Sequence, residues 1–376
     1  MRVSPSRKKF VGWPYYTALL LPLWCLGFLL SAPHAAGDAL FWLLPVAAPV
    51  VADYLGVGVS QKADSSCGGM GLDALPLFLA GLFVVDTGLL LAESRHWGWT
   101  SSQAVDTLAM LVVVKFLFGS NAAIAGLLTA HELIHRRSPF LRATGRILLI
   151  VCCYEHFATE HLRGHHRRVG WKEDPATARF GETYSRFWQR SVGAQFLSAW
   201  RLESRRLRMT ERWDRRWLSH RVLQGVVAEL GLLAAIGWGF GPLALLAFCV
   251  QALMGVRNLE AINYVQHWGL QRARGKPGPQ HAWYTDSWCS HYLILGLARH
   301  SHHHCRPGLP YYRLQVQSEA PRLPYGYFAL MFMVAYRNRA FQKAASAELN
   351  RVKRQNLEKP CRIRVCRPTY KRALKR

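Results

Sequence analysis

Apolar residues gather along this chain in long runs, and a helix that crosses a hydrocarbon core of roughly 30 Å needs about 20 of them in succession. Runs of that length lie at 14–32, 39–58, 75–92, 105–130, 219–239 and 241–262, so the pattern predicts six membrane-spanning helices. The last two are separated only by the Gly237–Pro242 stretch and form a tight re-entering pair. A shorter run, Ile147 to Tyr154, cannot cross and is expected at the interface or packed against the bundle. The expected fold class is all-α, an integral membrane bundle of about six transmembrane helices with a His-rich helical region on its cytoplasmic side. The chain divides accordingly. Residues 1–130 hold helices one to four, 131–218 a cytoplasmic region, 219–262 helices five and six, 263–330 a second cytoplasmic region, and 331–376 a basic C-terminal tail.

Charge fixes the expected orientation. Apolar residues make up 51% of the 376 and charged residues 19%, yet the formal net charge is +26, so charges and apolar runs must occupy different places. Short cytoplasmic loops carry the excess of Lys and Arg. Arg2, Arg7, Lys8 and Lys9 place the N-terminus inside, the connections at 33–38 and 237–242 carry no basic residue, and the second and third carry Lys62 and Arg95. Segment 131–218 holds eighteen Lys and Arg, among them Arg205, Arg206, Arg208, Arg215 and Arg216, and the tail from Arg351 to Arg376 is densely basic. With six spans both termini are expected to be cytoplasmic, and the basic excess reflects topology and attraction to anionic lipid. No nucleic-acid module accompanies these residues, so no nucleic-acid partner is expected. The hydrophobic content excludes disorder, the missing Gly period excludes collagen, and the nine Cys show no CxxC spacing and demand no oxidising compartment. The first apolar run lacks a cleavage pattern and is expected to span rather than be removed. Trp13, Tyr15, Tyr16, Trp97 and Trp99 are expected in interfacial belts.

The sixteen His bear the chemistry. His34, His96, His156, His220, His281 and His291 are isolated and read as structural. The others collect in four short clusters: HELIH at 131–135, EHLRGHH at 160–166, NYVQH at 263–267 and RHSHHH at 299–304. Residues at i and i+4 share a helix face, so His131 and His135 are expected to converge on one point, and His161 and His165 likewise, while His300 repeats the geometry with His303 and His304. Val105 to His135 as one helix extends about 45 Å, at 1.5 Å per residue, and carries the first two rings beyond the lipid. One metal takes four to six ligands, so this supply suits two, although imidazole serves Fe, Zn, Cu and Ni alike. HELIH is also the HExxH of zinc metalloproteases, but a protease leaves three clusters unexplained. A metal transporter needs ligands at the bilayer midplane, whereas these fall at one edge.

HELIHR at 131–136, EHLRGHH at 160–166, NYVQHWGL at 263–270 and ARHSHHH at 298–304 resemble the ordered boxes of the membrane alkane hydroxylases (alkane 1-monooxygenases), within the integral-membrane fatty acid desaturase and hydroxylase superfamily. Supporting stretches are Glu173-Asp174-Pro175, 178–192 and 323–327. The resemblance is strongest from about 105 to 330. It implies two non-haem iron ions held by His131, His135, His161, His165, His166, His267, His300, His303 and His304, with O₂ as co-substrate and an apolar substrate, most simply the terminal carbon of an alkane. A fatty acyl desaturase or an aromatic-methyl (xylene-type) monooxygenase on the same scaffold is the neighbouring reading, the latter suggested by Arg136. Electrons are expected from a separate rubredoxin or ferredoxin with its NAD(P)H-dependent reductase, because Cys361 and Cys366 do not form a fused carrier's CxxC pairs. The implied setting is a bacterial inner membrane.

The chain departs from the family pattern where Gln266 stands in place of Glu, Trp268 in place of Tyr, and His302 in place of Asp. A carboxylate beside a ligating His fixes its tautomer. Glu132, Glu160, Glu173, Asp174, Gln266 and His302 are the candidates for positions around the ligands. Asp53, Asp86, Asp106, Lys115 and Glu229 fall within the spans, where Asp106 or Lys115 is expected to pair with Asp86 or Glu229 across the bundle.

Overall fold

The computed structural model describes residues 12–58, 69–209, 214–273 and 275–358. Arg2, Arg7, Lys8, Lys9, Lys62, Cys361, Cys366 and the tail beyond Glu358 lie outside the described residues. All regular structure among those described is helical, with two isolated β-bridges, Gly58 with Ser287 and Tyr284 with Arg322.

Among the described residues, six helices are long and apolar enough to cross a membrane: α1 (Trp13–Leu30), α2 (Ala36–Leu55), α3 (Gly71–Ser94), α4 (Ala104–Ile134), α8 (Arg221–Phe240) and α9 (Pro242–His267). Between and after them come α5 (Pro139–Val151), α6 (156–168), α7 (Tyr184–Arg206), α10 (His300–Cys305), α11 (Tyr327–Tyr336) and α12 (Asn338–Glu358). The protein is an integral membrane helical bundle. The spans differ in depth: the most apolar part of α4 is 67% buried and that of α2 only 11%. α4 is therefore the central post, and the outward residues of the others, such as Val227, Leu230 and Trp238, are apolar because their solvent is lipid.

α4 meets α9 through small residues. A Cβ added at Gly255 would come within 2.8 Å of the Ala122 Cβ, and one at Gly119 within 2.6 Å of the Met254 Cβ. Such close approach between helix backbones gains dispersion contact where lipid offers no hydrophobic driving force. The two ends of this packed pair carry His131 and His267.

α4 is not a uniform helix. Val114–Phe118 and Ala122–Leu128 are π-helical turns, with the i→i+5 bonding that accommodates an inserted residue. The short apolar run 147–154 covers the end of α5 and the turn after it; α5 starts at Pro139 with the Ser138 hydroxyl accepting from Leu141 N–H and buries Leu148 and Leu149. It lies alongside the end of α4, as expected of a segment too short to cross.

The intramembrane ion pairs expected from sequence do not form among the described residues. Asp86 accepts from Asn121 (2.8 Å), Asp106 from the Ala36 N–H (2.8 Å), and Glu229 from the Glu155 N–H (2.8 Å). Lys115 lies over the Phe116 ring, 5.0 Å from its centre. Each acid finds a neutral donor instead of a second charge, so no second ion is desolvated, although Asp86 Oδ1 is buried without a hydrogen-bond partner. Asp53 at the end of α2 accepts from the Ser287 and Ser290 hydroxyls and from Phe328 N–H (2.9 Å), tying this peripheral span to the C-terminal segment. Tyr15 also departs from expectation: it is fully buried, and its hydroxyl lies 2.9 Å from His291 Nε2, so it belongs to the core and not to an interfacial belt.

Candidate metal centre

Four elements bring their imidazoles to one end of the bundle: the end of α4, α6, the end of α9, and α10. The nine expected rings separate into two groups. His131, His135, His161, His166 and His303 form the first, and His165, His267, His300 and His304 the second, with the ligand atoms of each group within 4.8 Å of one another.

This partition corrects the helical-spacing argument. His161 and His165, four residues apart, face different groups, and His161 instead shares its group with His166, five residues on. The cause is local: His161–His165 is a π-helical turn, which places i and i+5 on the same face. α10 divides similarly. His300 and His304 stay together at i, i+4, whereas His303 crosses to the first group.

The spacing of the nitrogens tests whether metal ions fit. In the first group the Nε2 atoms of His161 and His135 are 3.1 Å apart, those of His166 and His161 2.9 Å, and those of His303 and His166 3.2 Å. In the second, His267 and His300 stand at 3.1 Å and His304 and His300 at 2.9 Å. Two nitrogens each bound about 2.1 Å from one ion at right angles are about 3.0 Å apart. The Nε2 atoms of His131 and His165 are buried and lack any hydrogen-bond partner. Burial also holds His135, His161, His166, His300, His303 and His304 well below the ordinary imidazole pKa, with the neighbouring rings adding to the effect. They are therefore neutral and present lone pairs, as metal ligands must. The residues fit two cations, and an all-imidazole donor set accommodates iron as it does Zn, Cu or Ni.

Of the residues expected around the ligands, Asp174 alone among those described puts a carboxylate on one of the nine rings. Its Oδ2 lies 2.9 Å from His165 Nδ1 and accepts from the Thr177 hydroxyl at 2.6 Å. Burial raises the Asp174 pKa, but the His165 ring and these hydrogen bonds outweigh it and hold the carboxyl below its ordinary value. The others face elsewhere. Glu132 takes Arg136 at 2.6 Å and the Tyr311 N–H at 3.2 Å. Glu160 takes Arg168 at 2.7 Å, and Glu173 is exposed. Gln266 donates to the Tyr327 hydroxyl (3.1 Å), and His302 Nδ1 accepts from Gln315 N–H (2.9 Å).

A small pocket opens beside the first group. His131 and His303 form its polar wall with Glu132, and Leu128, Ile294, Leu295, Leu297 and Leu314 its apolar one. Sequence reading missed this apolar wall; for Ile294, Leu295 and Leu297 the signal was the run Tyr292–Ala298, apolar but too short to span, directly ahead of the last His box.

The fatty acid desaturase family model matches residues 106–333. The chain is 35% identical over 261 residues to alkane 1-monooxygenase 1 of Pseudomonas aeruginosa, covering 68% of this chain and 65% of that one. It is 29% identical over 347 residues to alkane 1-monooxygenase 2 of the same organism, covering 88% and 89%. A more distant relative is the xylene/toluene monooxygenase hydroxylase component of Pseudomonas putida, 25% identical over 253 residues, covering 66% and 65%. The matched segment contains all four His boxes, and on it the chain belongs to the fatty acid desaturase family, with alkane 1-monooxygenases among its relatives.

Proposed function

We propose that this protein is an O₂-dependent non-haem di-iron monooxygenase that hydroxylates an apolar substrate, most simply the terminal carbon of an alkyl chain. The observation that carries this reading is the juxtaposition of five- and four-imidazole groups with a leucine-lined pocket on the first. Iron bound there would supply the activation of O₂ and the attack on an unactivated C–H bond, chemistry that no side chain performs.

What the chain supplies is placement. His131, His135, His161, His166 and His303 would hold one ion, and His165, His267, His300 and His304 the other. Asp174, by accepting at His165 Nδ1, keeps that ring's proton away from Nε2 and its plane fixed. Leu128, Ile294, Leu295, Leu297 and Leu314 form an apolar wall beside His131 and His303, surroundings that suit the approach of an alkyl group and disfavour water. A lipid-dissolved substrate needs no aqueous passage to arrive. The HExxH reading is disfavoured because Glu132, the base it requires, is held by Arg136 and Tyr311.

In this reading the His-bearing end faces the cytoplasm of a bacterial inner membrane, with both termini on that side, and the divisions at 130, 218, 262 and 330 separate spanning from cytoplasmic parts. Electrons come from a separate rubredoxin or ferredoxin and its NAD(P)H-dependent reductase.

The test is metal analysis of the purified protein in lipid nanodiscs, followed by product identification on octane, toluene and an acyl lipid with reductant and ¹⁸O₂. Two irons per chain and an ¹⁸O-labelled alcohol are expected. Zinc with oxygen-independent proteolysis overturns the reading, and an unlabelled alkene assigns the chain to desaturation.

A further inference from the structure

Beyond the rings of the second group the chain builds a compact cationic surface around one side chain, Arg272. Its guanidinium donates to the Val169 carbonyl (2.7 Å), to the Arg167 carbonyl (2.6 Å) and to the Gly275 carbonyl, and lies 4.8 Å over the centre of the Trp171 ring. These contacts hold the backbone at Arg167 and Gly275 and the Trp171 ring against Arg272, and three further basic residues stand at or next to these points in the chain: Arg167, Lys172 beside Trp171, and Lys276 beside Gly275. All three are exposed, and Glu173 is the exposed acid among them. Arg168, Trp171, Lys172 and Glu173 line a depression at this place, and the Trp171 indole nitrogen is buried in it without a hydrogen-bond partner.

The floor of the depression is coupled to the metal ligands by a short path. The Trp171 carbonyl accepts from the Asp174 N–H (3.1 Å), and the Asp174 carboxylate holds His165 Nδ1 at 2.9 Å. Arg167 is the residue next to the partly exposed ligand candidate His166. A positive rim over an aromatic floor, connected by two hydrogen bonds to a ligating imidazole, is what an electron-transfer contact needs: charge to steer a partner, and a brief orbital path once it arrives.

We infer that the Arg167, Lys172, Arg272 and Lys276 surface, floored by Trp171, is the docking site for an acidic one-electron carrier protein of the iron–sulfur class. The inference rests on the proposed monooxygenase reaction. That reaction consumes one O₂, two protons and two electrons per alcohol and water formed, so the carrier docks reduced, leaves oxidised, and visits twice per turnover. Trp171 shortens the gap and is itself neither oxidised nor reduced. Anionic lipid headgroups would also meet such a rim, but they would have no use for the Trp171–Asp174–His165 path.

The test measures binding of a zinc-substituted acidic rubredoxin to the full-length protein in phosphatidylcholine nanodiscs, where the carrier cannot turn over. In the Lys172→Glu/Lys276→Glu variant the Kd is expected to rise about tenfold or more at low ionic strength, with a flatter salt dependence, while iron content stays at the wild-type level. Arg339→Glu/Lys343→Glu, the same charge change on exposed residues of α12, is expected to leave the Kd within about twofold. Trp171→Leu is expected to keep binding and to slow oxidation of the reduced iron carrier about tenfold or more in stopped flow. An equal loss in the α12 variant, or a Kd insensitive to Lys172→Glu/Lys276→Glu, overturns the assignment. So does binding that appears only with phosphatidylglycerol in the disc, which assigns the rim to lipid. Product formation by wild type driven with dithionite is read separately: its absence sinks the proposed reaction, whereas the binding measurements judge the surface.

Discussion

His161 and His166 place their Nε2 atoms 2.9 Å apart although they are five positions apart in the chain, while His165 turns to the other group. One π-helical turn thus lets a six-residue stretch contribute to both imidazole groups. Gly164 sits inside that turn, where an added Cβ would fall 2.4 Å from a Glu160 carboxylate oxygen and 2.5 Å from Arg168 Nη2. Gly164→Ala is expected to cost about 1–3 kcal/mol of stability and to lower iron content of both groups together. Thermal unfolding and iron analysis check this; unchanged iron would show that the turn tolerates the strain.

Asp174→Ala leaves His165 Nδ1 without its acceptor. Affinity at the second group is expected to fall about 10–100-fold, with the first group retaining its metal. Mössbauer spectra of ⁵⁷Fe-loaded protein, which distinguish the two ions, should show selective loss, and loss of both signals together would contradict it.

Acidification should release metal in a definite direction. The rings of His135, His161, His166, His300, His303 and His304 have pKa values well below 6.5 when folded, so below about pH 6.5 the unfolded chain binds more protons than the folded one. Stability from these groups is fully present above that pH and is lost progressively as pH falls. Iron retention titrated from pH 8 to 4.5 should decline below about 6.5; a flat profile over that window would argue against imidazole ligation.

Gln266 and His302 lie beside ligands without joining either group. His302→Asp is expected to keep both irons, because Gln315 N–H can donate to a carboxylate as it does to His302 Nδ1. Gln266→Glu is expected to preserve or raise hydroxylation, the Tyr327 hydroxyl turning to donate to the new acceptor. Complete loss of iron in His302→Asp would make His302 a ligand.

Removing Asp53 tests the tie between α2 and the C-terminal segment. Asp53→Ala leaves Ser287, Ser290 and the Phe328 N–H without their shared acceptor and is expected to cost about 3 kcal/mol, read as a lowered Tm in detergent. Asp53→Asn should recover part of the loss.

The six spans were legible in the sequence because lipid demands uniform apolarity, a signal that survives any packing arrangement. Their ends were less so: the apolar run of the sixth stops near residue 262, but α9 continues to His267, since the residues after Ile262 are buried by protein and not by lipid. The nine clustered His stood out by spacing and by family resemblance. Their division into five and four did not, because a π turn has no compositional mark and i, i+4 counting assumes regular helix. Tertiary partners were the least visible. Nothing at Asp106 announces the Ala36 N–H, and nothing at Glu132 announces Tyr311, since such bonds join positions far apart in the chain.

The two imidazole groups also differ in when their parts exist. Four of the first group's five rings precede residue 167, whereas three of the second group's four come from residue 267 onward. His303 and His304 complete the two groups from adjacent positions on α10, so neither group has its full set of rings until the chain has reached residue 303.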